Sequence, residues 1–168
     1  SQEEFLLELL ADFRIEAAEH HQAIVNGLLE LEKDPSPETR QTILESTFRE
    51  IHSLKGAARA VNLTEIGRLC QSMENVFHSL KNDPSGLSGE ILDAMHRSAD
   101  TLQYMLAESP HPEKSVSAGM LSHLIRHHER ILSAEKATLS MQPAAGTTDL
   151  PVSEPITREK AAFGQQDT

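Results

Sequence analysis

Apolar residues recur along this chain at three- and four-residue steps, the spacing of a helix with one buried face. Over about residues 2–33 that stripe is Leu6, Leu10, Phe13, Ala17, Ile24, Leu28 and Leu31. Ser1 followed by Glu4 has the form of a capping box. Asp34-Pro35-Ser36-Pro37 ends this helix and begins the next, with Ser36 as N-cap and Pro37 at the first helical position. The second helix, about 37–61, turns Ile43, Leu44, Thr47, Ile51, Leu54, Ala58 and Val61 inward. Asn62-Leu63 makes a tight corner, and Thr64 is expected to cap a third helix over about 65–82. Its core face is Ile66, Leu69, Met73, Val76 and Leu80. The turn cluster Asn82-Asp83-Pro84-Ser85-Gly86 follows. A fourth helix, about 88–108, offers Ile91, Leu92, Met95, Ala99, Leu102 and Leu106. A fifth, about 115–136, offers Met120, Leu121, Leu124, Ile131 and Leu132.

The pattern stops after about residue 138, where Pro143, Pro151 and Pro155 stand among small and polar residues. Such a stretch buries too little apolar surface to offset its ordering entropy. The expected organisation is a helical bundle over 1–136 and a disordered linker or tail over 137–168. Short connections make neighbouring helices antiparallel. The fold class is therefore all-α, an up-and-down bundle with a four-helix core and a fifth helix. An opening Ser1 in place of Met is expected of a piece trimmed from a longer protein.

Composition narrows the function. With 26 acidic against 15 basic residues the formal charge is −11, which argues against nucleic-acid binding. No apolar run approaches the roughly 20 residues needed to cross a bilayer, and no secretory leader is visible, so a cytoplasmic location is expected. The single cysteine, Cys70, excludes an internal disulfide and reads as a small packed residue. His123 and His127 have helical metal-ligand spacing, with His20, His21 and His128 as further candidates. No carboxylate motif completes a site, so no metal is expected.

The informative segment is Phe48-Arg49-Glu50-Ile51-His52-Ser53-Leu54-Lys55-Gly56-Ala57-Ala58. At 100° per residue His52 falls opposite Thr47, Leu54 and Val61 and points outward. Glu45, Arg49, Lys55, Gly56 and Arg59 share its stripe, so an exposed imidazole stands among three cations on a very acidic protein. That local reversal of charge suits a phosphoryl group. Gly56 costs about 1 kcal/mol relative to alanine inside a helix. It reads either as a gap through which a partner reaches the ring or as a helix-packing notch. On the third helix Glu74 lies about 100° off the core face, beside Gly67, Cys70, Gln71, Phe77 and His78. An antiparallel hairpin turning near Asn62 brings His52 and Glu74 to similar height. There Glu74 can accept the Nδ1–H of His52 and leave Nε2 as nucleophile. Phe48 borders both the core and the His52 stripe, and reads as a core residue or as a docking anchor.

His52-Ser53-Leu54-Lys55-Gly56-Ala57-Ala58, with Glu74 in Ser72-Met73-Glu74-Asn75, resembles the histidine-containing phosphotransfer (HPt) domain. More narrowly it is similar to the N-terminal P1 domain of CheA-type chemotaxis histidine kinases, over roughly residues 1–136. The resemblance implies that His52 is phosphorylated by an ATP-binding histidine kinase catalytic domain, in cis or in trans. The phosphoryl group then passes to an aspartate of a response-regulator receiver domain. It further implies that Lys55 assists near the phosphate, that Gly56 gives access and that Glu74 holds the imidazole. Arg49 and Arg59 read as secondary cations or as solvated charges, and Phe48 and His78 as docking residues. Related proteins often carry a second histidine three residues before the glutamate. Here that residue is Gln71, and His78, one turn after Glu74, is the candidate for a partial substitute. The segment is expected to be a monomer without an ATP site, ATP entering only as donor through a separate kinase domain. The other readings are a stand-alone phosphorelay HPt protein and a non-catalytic helical interaction module with a vestigial site. A sensor-kinase dimerisation domain is disfavoured, because neither a His-Glu pair nor a following Pro is present at His52.

Overall fold

A computed structural model of the chain describes residues 1–107 and 116–141. It contains α1 (Gln2–Glu32), α2 (Pro37–Ala60), α3 (Thr64–Asn82), a 3-10 turn at Pro84–Gly86, α4 (Gly89–Leu106) and α5 (Ala118–Met141). No strand occurs among the described residues. The first four helices form the expected antiparallel bundle, and α5 packs against α3 and α4. The tail expected to be disordered lies, from residue 142 on, outside the described residues. α5 runs to Met141, beyond the boundary expected at about residue 136.

Local chemistry sets the helix ends. Ser1 and Glu4 complete a reciprocal capping box, and Ser36 accepts from the Thr39 amide ahead of Pro37. The corner between α2 and α3 turns on Asn62 at φ 60°, a left-handed conformation that asparagine tolerates. Thr64 does not cap α3, contrary to expectation. It is the first helical residue, and the cap position is Leu63, with no side-chain hydrogen bond. Leu63 is itself buried, so this helix start is fixed by packing.

The core is Leu, Ile, Val, Met, Ala and Phe from all five helices, with Leu28, Leu44, Ile51, Leu54, Met73, Phe77 and Leu102 at or near complete burial. Polar anchors set the register between helices. His20 Nδ1 lies 2.7 Å from Glu50 Oε2 across α1 and α2, and His21 Nε2 donates to the Ala99 carbonyl of α4 at 2.7 Å. That register brings α2 to its end level with about residue 10 of α1, so the first turns of α1 overhang the bundle. Two expected core positions are corrected, the first for this reason. Leu6 is 51% exposed, with no helix of the described residues opposite it, and Met120 in the first turn of α5 is 53% exposed.

α5 is pinned by a buried histidine. His128 is fully enclosed, with Nδ1 2.6 Å from Ser72 Oγ on α3 and Nε2 2.8 Å from Ser98 Oγ on α4. Ser98 already donates its hydroxyl hydrogen to the Ala94 carbonyl, so it accepts from Nε2–H, and Nδ1 accepts from Ser72. His128 is thus held neutral. Burial first, then the charges of His127 and Arg97, push it down to about 4.

Candidate functional site

The site is built on the α2–α3 hairpin, where each step back along α2 is matched by an equal step forward along α3. Arg59 stands opposite Gly67, Lys55 opposite Gln71, His52 opposite Glu74 and Phe48 opposite His78. His52 projects into solvent, its side chain 62% exposed, while Glu74 is 14% exposed in the seam between the helices. Nδ1 of His52 lies 3.2 Å from Glu74 Oε2. An ionised carboxylate only accepts, so Nδ1 carries the hydrogen and Nε2 presents a lone pair to solvent.

Lys55 departs from the exposed position expected of it. It is buried at 8%, turned into the seam with its ammonium 2.5 Å from Glu74 Oε2 and donating to Gln71 Oε1 at 3.2 Å. Its alkyl stem packs along the helix interface while its charge is neutralised there. Burial raises the affinity of Glu74 for a proton. Hydrogen bonds from Lys55 and His52, with their charges, outweigh this and hold it below the usual carboxylate value. Gln71 passes its amide hydrogen on to Asn75 Oδ1 at 2.9 Å. Glu74 therefore serves two donors, and Gln71 steadies one of them.

The remaining residues divide between the ring and its flank. A Cβ on Gly56 would meet no heavy atom within 4 Å, so the turn after His52 is open and is not a packing notch. Phe48, one turn before His52, is half-buried and stacks on its ring at 6.3 Å between centroids, with 14° between planes. His78 tilts against Phe48 at 6.2 Å and lies within 3.4 Å of Asn82 Nδ2. It makes no hydrogen bond to Glu74 and stands on the far side of the Phe48 ring from His52 in the helix pairing. Lys81, which the sequence reading passed over, holds its ammonium 3.9 Å from the Phe48 centroid. In that pairing Lys81 falls opposite Glu45, one turn before Phe48, so it reaches the ring only diagonally. Arg49 and Arg59 are exposed on the His52 stripe. Phe77, expected at the surface beside Glu74, is fully buried; Cys70 is fully buried too, the small packed residue expected, and burial pushes its thiol up to about 12. No metal-binding cluster occurs among the described residues, and His128 is spent on its two serines. No helix of the described residues is long and apolar enough to cross a membrane.

Comparison with known proteins finds a family and several relatives. The Hpt domain family model matches residues 8–109. A chemotaxis protein CheA from Listeria monocytogenes is 28% identical over 123 residues, covering 73% of this chain and 19% of its own length. The sensor histidine kinase CheAY of Helicobacter pylori is 31% identical over 101 residues, 60% of this chain and 12% of the relative. A gliding motility regulatory protein of Myxococcus xanthus is 33% identical over 94 residues, 56% and 12% of the two chains. The chain thus spans less than a fifth of the length of these relatives. No solved structure matches it.

Proposed function

The chain belongs to the Hpt domain family, and on that premise we propose that it is the phosphotransfer module of a chemotaxis-type two-component system, with His52 as phospho-acceptor. The observation that carries this reading is the pairing of an exposed Nε2 with an Nδ1 tied to a part-buried, ionised Glu74. Nε2 attacks the γ-phosphorus of ATP held by a histidine kinase catalytic domain. A P–N bond forms as the bond to the bridging oxygen breaks and ADP leaves, and Glu74 offsets the positive charge that builds on the ring. In the second step a carboxylate oxygen of a receiver-domain aspartate attacks the same phosphorus, and the P–N electrons return to the imidazole.

Each neighbour has a role. Glu74 sets the tautomer, and Lys55 keeps Glu74 ionised with Gln71 behind it. Gly56 leaves room for the partner's reacting group. Arg49 and Arg59 supply positive charge beside the incoming phosphoryl oxygens. Phe48 and His78, with Lys81 across the ring, form the apolar and cationic surface on which the receiver seats. The module works as a monomer that binds neither nucleotide nor nucleic acid, and ATP reaches it only through the separate kinase domain.

The test mixes the chain with ATP and the separately expressed kinase core of a CheA relative, beside a His52→Gln control. Acid-labile, base-stable phosphate mapped to His52 and absent from the control is expected. Phosphate on another residue, or equal labelling of the control, would overturn the reading.

A further inference from the structure

His52 is tied to Glu74 at one atom, Nδ1, by a hydrogen bond of 3.2 Å. One bond fixes a point and leaves the ring able to swing, because the terminal torsion of an imidazole is broad. With the side chain 62% exposed, core packing does not supply the missing constraint. The neighbours one turn away along α2 supply it unequally. A helical side chain leans toward the N-terminus, so His52 lies over the turn that carries Phe48 and Arg49. The side chains at positions 55 and 56 are those that would lean over His52 in turn. Lys55 is instead drawn into the seam by Glu74, and Gly56 has no side chain. The support of the ring therefore lies on its Phe48 side, and its Gly56 side is open.

The Phe48 ring meets the imidazole in near-parallel planes, 14° apart with 6.3 Å between centroids, the separation of an offset stack. Phe48 is itself braced. It packs against the core, His78 tilts against it at 6.2 Å, and the Lys81 ammonium lies 3.9 Å from its centroid. The end of α3 that carries Lys81 is tied back to α2, where the Gln41 side-chain amide donates to the Lys81 carbonyl at 3.3 Å. A braced ring is a wall against which a more exposed ring can rest.

We propose that Phe48 is a positioning residue for both phosphoryl transfers, fixing the orientation of the His52 ring while Glu74 fixes its tautomer. This rests on the phosphotransfer reading above and gives Phe48 a role separate from docking. A bond at Nδ1 and a parallel wall together leave Nε2 one direction. Both steps run through that atom: Nε2 first attacks the γ-phosphorus as the ADP oxygen leaves, then leaves phosphorus as the receiver aspartate oxygen attacks. In-line displacement needs the attacking and leaving atoms aligned, so a swinging ring slows both steps. A residue that only docks a partner changes KM and leaves the saturated rate alone.

The experiment compares the whole chain with Phe48→Leu, which keeps an apolar side chain and removes the flat wall, and with Phe48→Tyr, which restores the ring. Melting curves verify each fold. His52 labelling by the kinase core, and transfer from phosphorylated His52 to a receiver, are each measured to saturation. Loss of an aromatic pair predicts a roughly three- to tenfold lower kcat in both steps for Phe48→Leu, with KM toward the kinase core within about twofold. Phe48→Tyr should recover most of the lost kcat. An unchanged kcat, a loss confined to one step, or equal losses in the two variants would overturn the proposal. The coupling between Hα and Hβ of His52 reads its rotamer with no partner present: one staggered χ1 is expected in the unsubstituted chain and averaging in Phe48→Leu. Averaging already in the unsubstituted chain would overturn the proposal even if Phe48→Leu does not fold. Absence of His52 labelling in the unsubstituted chain would instead remove the phosphotransfer reading, and the role of Phe48 in it.

Discussion

Lys55 and His52 share one oxygen of Glu74: the ammonium lies 2.5 Å from Oε2 and the imidazole Nδ1 3.2 Å from the same atom. The ammonium supplies the fixed charge that keeps the carboxylate ionised. The ionised carboxylate in turn keeps the hydrogen on Nδ1. Lys55 therefore acts on the ring through Glu74, from within the hairpin.

Glu74→Gln keeps the size of the side chain and removes its charge. Lys55 is left buried without a counter-ion, and Nδ1 loses its anionic partner. Stability should fall by about 2–3 kcal/mol, measured by urea unfolding at neutral pH. The rate of His52 phosphorylation should fall roughly ten- to a hundredfold, about 1.4–2.8 kcal/mol of barrier.

Gly56→Ala separates access from stability. Its Cβ meets no atom within 4 Å, so the helix should gain about 1 kcal/mol, read as a higher melting temperature. If Gly56 leaves room for a partner, a larger side chain such as Gly56→Leu should slow both transfer steps while the fold remains intact.

Gln71→His places a titratable ring beside Lys55. The present network holds no such group at this position, because Gln71 carries no charge at any pH. The variant should add an inflection to the pH profile of His52 phosphorylation, below about 6.5 because the Lys55 ammonium disfavours a second cation. A profile superimposable on that of the unsubstituted chain would show that residue 71 does not couple to the site.

His128 gives the bundle an acid sensitivity of known sign. The imidazole titrates near 6.5 when unfolded and at about 4 when folded, so the unfolded chain takes up the proton first. The contribution is complete above pH 6.5 and is lost as pH falls toward 4, roughly 3 kcal/mol in all. Once protonated, Nδ1 no longer accepts from Ser72, and α5 should loosen first. Amide hydrogen exchange along α5 at pH 7.5 and 4.5 reads this directly, and His128→Gln should flatten the dependence.

How far the sequence spoke for the fold can be seen at particular residues. Helical spacing placed Ile51 and Leu54 inside and His52 outside, because all three have neighbours on α1 or α3 that obey the same periodicity. Leu6 broke the rule because periodicity reports which face is apolar and not whether anything lies opposite. Thr64 looked like a cap by residue type, but the buried Leu63 decided where α3 begins. The end of α5 was read too early because Ala137, Thr138 and Ser140 interrupt the apolar stripe without breaking the helix.

The site was legible where it depended on one hairpin and hidden where it depended on side-chain direction. Counting outward from the Asn62 corner aligns His52 with Glu74, and the structure brings them within hydrogen-bond distance. The same count aligns Lys55 with Gln71, yet projection alone put Lys55 on the solvent stripe. A long side chain can leave its projected direction to reach a part-buried carboxylate. Lys81 was missed because its partner, the Phe48 ring, lies on another helix. The pairing of His128 with Ser72 and Ser98 joins three helices, and no local spacing encodes it.

The central claim is that Glu74 holds the hydrogen of His52 on Nδ1 and leaves Nε2 to react. Nitrogen-15 NMR of the imidazole ring, recorded at neutral pH before and after phosphorylation by the kinase core, tests it most directly. The expected result is an Nδ1–H tautomer in the free chain and phosphorus bonded to Nε2 in the product. An Nε2–H tautomer, or phosphorus on Nδ1, would contradict it.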